Sequence, residues 1–164
     1  MLINDERVEV TEQYSQACTS SNLRVQAEKR SSADILIASG MSSSRIGSAL
    51  MRLHTKPDRI GLEAVHQQLT HRAKLLNIDR PEVVSASVLA WWLNHVCNAC
   101  NGVKFEVIQD SPSLSARSCK VCKGSGESKL PHGESGKILL EWVEECKQAW
   151  STAIKRRLHP RPSK

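Results

Sequence analysis

The 164-residue sequence has no apolar run long enough to span a bilayer. Its opening, MLINDERVEV, lacks the basic-then-apolar layout of a secretory signal, so a cytoplasmic protein is expected. There is no glycine-rich phosphate loop, no paired-carboxylate motif and no Ser/His/Asp arrangement with usable spacing, so no enzyme is expected. Acid is missing altogether from Cys146 to Lys164, where Lys147, Lys155, Arg156, Arg157, Arg161 and Lys164 account for the whole net charge of +6. A basic segment of this kind suits a phosphate backbone or another acidic partner, and a plain solvated tail is the alternative.

The length suits one domain with a small appended module. Residues 1–31 are polar without a sustained period, and SQACTSSN and EKRSS predict a flexible N-terminal segment. A helical domain is expected over 32–158, followed by a basic tail over 159–164. In SADILIASGMSSSRIGSALMRLH, Ser32 or Asp34 can cap a first helix that Gly40 breaks. Ser42 can cap a second, with Ile46, Leu50 and Leu53 as its apolar stripe. With Arg45 and Arg52 on the polar side, this is the outline of a helix-turn-helix and a second candidate DNA-contacting pair.

A further stripe runs through Ile60, Leu62, Val65, Leu69, Ala73 and Leu76, opposite a polar face with Gln67, Gln68, His71, Arg72 and Lys74. His54, His66 and His71 have no cysteine nearby and are expected at the surface or core edge. DRPEVVSASVLAWWLNHV opens with Asp79 as the expected cap and Pro81 in the first turn, then is apolar nearly all round from Val83 to Val96. Trp91 and Trp92 belong to core packing there. A last helix, from about Gly136 to Leu158, carries an apolar face that includes Trp142, Cys146 and Trp150, with Cys146 a packed thiol.

Between these two helices lie Cys97-x2-Cys100, eighteen further residues, and Cys119-x2-Cys122. Two such turns can each present two sulfurs, and together they complete a tetrahedron at about 2.3 Å from one Zn²⁺. In a reducing compartment, clustered cysteines favour metal over disulfides. A redox pair needs a single C-x2-C in an α/β pattern, which is lacking. A hydrolytic zinc needs an open position, which four cysteines do not leave. His95 could replace a cysteine but sits one helical turn before the knuckle. One structural zinc is therefore expected, which with four thiolates lowers the net charge to about +4. VKFEVI and LSARS predict two short paired strands, turned by QDSPS, within a module at 97–126. The expected fold is mainly α: a helical bundle with an inserted small zinc-binding β-hairpin module built on four cysteines.

The residues CNACNG and CKVCKGSGESKLP, preceded by a helix ending in LAWWLNHV and followed by an apolar helix, resemble the zinc-containing branch of the Q antitermination proteins of lambdoid phages. ADILIASGMSSSRIGSALMRL is similar to that family's first ordered stretch, and the likeness spans roughly residues 33–158. The second knuckle alone also resembles the cysteine-rich repeats of DnaJ-type chaperones. Those have four repeats and a His-Pro-Asp motif, neither of which is found here, and Lys104 stands where the second glycine of the first repeat would fall.

The Q resemblance implies a phage protein acting in the bacterial host cytoplasm. Such a protein binds a double-stranded DNA element in a late promoter, engages RNA polymerase holoenzyme, and carries the polymerase through pauses and terminators. It implies Cys97, Cys100, Cys119 and Cys122 as zinc ligands. Charge and placement make Arg117, Lys120, Lys123 and Lys129 around the second knuckle candidate DNA contacts, with Lys147, Lys155, Arg156 and Arg157 on the last helix. A zinc-braced repressor or activator, and a zinc-stabilised protein–protein adaptor, are the competing expectations.

Overall fold

A computed structural model describes residues 10–21, 32–107 and 114–158. The chain is mainly helical: α1 (Val10–Thr19), α2 (Ser32–Gly40), α3 (Arg45–Thr55), α4 (Arg59–Leu75), α5 (Pro81–Leu93) and α6 (Gly133–Leu158) accompany two strands, β1 (Phe105–Val107) and β2 (Leu114–Ser118). No helix among the described residues is long and apolar enough to cross a membrane. The chain divides into two compact units, Met1–Val65 with Glu141–Lys164, and His66–Leu140. The basic tail at 159–164 and the expected turn QDSPS lie outside the described residues.

The first unit is organised around Trp150 of α6, which is fully buried with Val10, Tyr14, Ala38, Met51 and Ile154. Its indole N–H donates to Ser39 Oγ at 3.2 Å, and the Tyr14 ring meets it edge-on at 5.2 Å. These contacts satisfy the one polar atom of a large buried aromatic while keeping its apolar area dry. Gly47 lets α3 lie against α6: a Cβ there would stand 2.5 Å from the Cys146 carbonyl oxygen and from Trp150 Cβ. Ser44 Oγ donates to the same Cys146 carbonyl at 3.3 Å, and Arg157 Nη2 donates to the Met41 carbonyl beyond the end of α2 at 2.6 Å.

Several expectations change here. Residues 10–19, expected to be flexible, form α1, which buries Val10, Tyr14 and Ala17; residues 1–9 and 22–31 lie outside the described residues. Ser44, not Ser42, holds the N-cap position of α3, while Ser42 Oγ accepts from the Ser44 amide. Asp58 starts α4 by accepting the Gly61 amide at 2.6 Å. The buried line of α4 is then Val65, Leu69 and Ala73, at a spacing of four. Ile60, at 80% exposure, stands in solvent with Leu62 and Leu76.

In the second unit α4 ends on Asn77 at φ 54°, with the Ile78 amide bonded to the Ala73 carbonyl and the Asn77 amide to that of Lys74. This is the left-handed cap that closes the last turn. Arg80, at φ 48°, and not Asp79, is the cap of α5, and its carbonyl accepts the Val83 and Val84 amides. Val84, Val88, Leu89 and Trp92 are buried, whereas Val83 is half exposed. His66 Nε2 lies 3.0 Å from the Glu82 carbonyl, and Lys74 Nζ lies 2.8 Å from the Glu82 carboxylate. That lysine holds the Glu82 carboxyl below its ordinary range.

β1 and β2 pair antiparallel, Phe105 with Ser118 and Val107 with Leu114, with one irregularity between them. The first strand starts at Phe105, later than VKFEVI suggests, because Lys104 stands at φ 75° and interrupts the extended chain.

Candidate metal centre

Each C-x2-C pair is followed by a turn of the same form. In the first, Asn101 and Gly102 have φ of 47° and 81°; in the second, Lys123 and Gly124 have 53° and 88°. Two residues later Lys104 stands at 75° and Gly126 at 83°. The hydrogen bonds match as well. The Val103 amide donates to the Cys100 carbonyl at 2.9 Å, and the Ser125 amide to the Cys122 carbonyl at 3.1 Å.

The two knuckles also grip each other reciprocally. The Cys119 amide donates to the Lys104 carbonyl and the Cys97 amide to the Gly126 carbonyl, both at 2.9 Å. Each knuckle's last left-handed residue thus holds the first cysteine of the other. This local two-fold arrangement brings all four sulfurs within 4.8 Å of one another.

Cys97, Cys100 and Cys119 are buried and Cys122 is half-buried. Cys100 Sγ lies 3.7 Å from Cys122 Sγ. Four thiolates placed tetrahedrally at about 2.3 Å from one ion have sulfurs about 3.8 Å apart. The cluster therefore has the size and donor set to hold a metal ion.

Burial pushes the Cys100 thiol up to about 11, against the opposing hydrogen bond from the Lys104 amide. Burial acts on Cys122 too, but amides of Gly126 and Gly124 and the neighbouring thiols Cys100 and Cys119 outweigh it and bring that thiol down to about 6. The Gly126 amide reaches Cys122 Sγ at 3.3 Å. Equivalent amides of each knuckle thus point at equivalent sulfurs, which favours thiolate over thiol.

The module is tied to α5. Trp91 Nε1 donates to the Ser128 carbonyl at 2.9 Å, the Ser128 amide donates to the His95 carbonyl at 2.7 Å, and Val96 bridges Glu127. Trp92 is buried as expected, but half-buried Trp91 is a latch on the second knuckle. Its signal in the sequence is only its place shortly before Cys97. The His95 ring lies 5.2 Å from Trp91 and is not among the clustered ligands; nor are Cys18 and Cys146.

Of the cations singled out from the sequence, Arg117, Lys123, Lys129, Lys155 and Arg156 are exposed. Lys120 lies 3.3 Å from Glu106, Lys147 lies 3.6 Å from Glu144, and Arg157 holds the Met41 carbonyl. The two ion pairs are partly exposed, and pairs near the surface cost little to exchange for another anion. Arg45 and Arg52 lie on α3 and line one cleft of the first unit. The parts of the molecule thus define a mainly helical protein with a four-cysteine cluster able to bind a metal. Comparison with known proteins finds no matching family model, curated protein or solved structure.

Proposed function

We propose that the chain is a transcription antitermination factor. In this reading it binds a double-stranded DNA element in a late promoter and the RNA polymerase holoenzyme of a bacterial host, and makes the polymerase read through pauses and terminators. One Zn²⁺ on Cys97, Cys100, Cys119 and Cys122 has a structural role, since four thiolates leave no position for a substrate or water. The single observation that supports the reading most is the pair of interlocked knuckles, CNACNG and CKVCKGSG, placed between the expected core helices, on which the likeness to the Q proteins rests.

The exposed cations of the second knuckle, Arg117, Lys123 and Lys129, with Lys120 once released from Glu106, offer sequence-blind phosphate contacts. Lys147, Lys155, Arg156 and Arg157 offer the same on α6, and Arg45 and Arg52 on α3. The metal holds the knuckle backbone in shape, because the loop buries few side chains other than cysteine among its described residues and has little else to hold it.

The deciding experiment is run-off transcription across a terminator placed downstream of a late promoter. Added protein is expected to convert terminated transcripts into read-through product. Unchanged products would remove the antitermination reading. Binding to duplex DNA should weaken steeply with salt. Metal analysis should find about one zinc and no iron per chain, and Cys119→Ser should lose it.

A further inference from the structure

The first unit carries a cleft of about 380 Å³ whose described lining contains two arginines and no acid. Arg45 and Arg52 are seven residues apart on α3, two helical turns and about 10 Å along one face. The lining residues between them, Ser48 and Ala49, are small, so the floor between the two guanidinium groups stays open.

The floor is also held in place from below. Ser48 Oγ donates to the Ser39 carbonyl at 3.4 Å, Ser39 Oγ accepts from the buried Trp150 indole, and Tyr14 is fixed edge-on to the same ring. Ser39, Ser42, Ser48 and Tyr14 bring hydroxyl groups to the cleft.

Among the described residues neither Arg45 nor Arg52 has a carboxylate partner, whereas Arg59, Lys74, Arg80, Lys120 and Lys147 each have one. Two forked cations over a hydroxyl-lined floor, with no counter-anion among the described residues, are arranged to take an oxyanion. We propose that this cleft binds a phosphoryl group between Arg45 and Arg52. The ligand class is a phosphate-bearing molecule, either a discrete phosphorylated compound or a backbone phosphate of nucleic acid. The cleft needs neither the metal nor the transcription reading to do so; only the second source touches the DNA reading above.

The experiment uses the full metal-loaded chain with inorganic pyrophosphate as probe, measured by calorimetry and by the NMR signals of the arginine Nε–H groups. Saturable binding that moves Arg45 and Arg52 is expected, weakened by about tenfold or more in Arg52→Gln and in Arg45→Gln. Arg59→Gln, on α4 and outside the cleft, should bind as the parent does. Both arginines are exposed, so the variants should keep their helical circular dichroism, which is checked first.

Short duplex DNA is then added to the pyrophosphate complex. Displacement identifies a backbone phosphate as the ligand; retention identifies a discrete phosphorylated compound. Pyrophosphate binding without any duplex binding would sink the DNA reading while leaving the cleft intact. Equal affinity in the parent and both glutamine variants, or no movement of either arginine signal, would overturn the proposal.

Discussion

Lys104 and Gly126 hold the same place in the two knuckles, and both have the left-handed backbone that side chains rarely adopt. Their consequences differ. A Cβ on Gly126 would stand 3.0 Å from the Gly102 carbonyl oxygen and 3.1 Å from Lys104 Cγ, so the lysine stem already fills that space. Gly126→Ala must therefore bear both the left-handed penalty of about 1–2 kcal/mol and a clash across the knuckle pair. It would also displace an amide that bonds Cys122 and a carbonyl that bonds Cys97. Metal affinity in a chelator competition should fall by roughly tenfold or more. Lys104→Gly should change it by less than about threefold, because relief of strain is offset by the added freedom of the unfolded chain. Wild-type affinity in Gly126→Ala would show that the reciprocal grip does not support the site.

At the level of elements, the meeting of α3 and α6 depends on Gly47, where a methyl group would strike the Cys146 carbonyl and Trp150 Cβ. Gly47→Ala should cost about 1–3 kcal/mol by overpacking, more than the helix propensity it gains. Gly40, at the end of α2, has nothing within 4 Å of a new Cβ, so Gly40→Ala should be neutral or slightly stabilising. Thermal melts of the two variants check this, with a lower midpoint expected for Gly47→Ala alone. Equal midpoints would mean that α3 does not lie against α6 this closely.

The same elements show what local pattern reveals. The metal site was legible because C-x2-C is a local spacing that fixes two ligands at a time, and the strands flanking its loop alternate visibly. α1 was not, since Val10, Tyr14 and Ala17 form too sparse a stripe to read without their partner Trp150, far along the chain. Ile60 looked like core because it continues the stripe of α4, but the buried line of that helix runs through Gly61, Val65, Leu69 and Ala73, which leaves Ile60 off it. The arginine pair on α3 was visible, with Ser48 and Ala49 between them, whereas Tyr14 of α1 and Leu36, Ser39 and Gly40 of α2, which complete the cleft, have no signature in the α3 sequence.

For the molecule as a whole, the two compact units differ in what they can draw on for stability. The first has a buried aromatic and aliphatic core that, among the described residues, contains no candidate metal ligand. In the second, the knuckles form a separate buried cluster made of the four cysteines alone, with Cys122 at its more open side. Removing the metal should therefore release the hydrogen-exchange protection of the Cys97 and Cys119 amides and leave that of Leu50 and Ile154 in place. Simultaneous loss of all four would show that the ion holds more than its own module.

The pH dependence of metal binding follows from the thiols. Protons compete with the ion for sulfur, so lowering the pH must weaken binding, never strengthen it. Cys122, brought down to about 6, is largely thiolate at neutral pH, while Cys100, pushed up to about 11, still carries its proton and must lose it to the buffer when the ion enters. Each displaced proton makes the apparent affinity rise about tenfold per pH unit. The slope between about pH 6.5 and 8 should thus be about one decade per unit or more, and it should steepen below about 6, where Cys122 takes up a proton too. Chelator competition from about pH 5 to 8, with the released acid followed in weak buffer, measures both. A flat profile would mean that thiol protons are not displaced, and with that the four cysteines would cease to be the ligands.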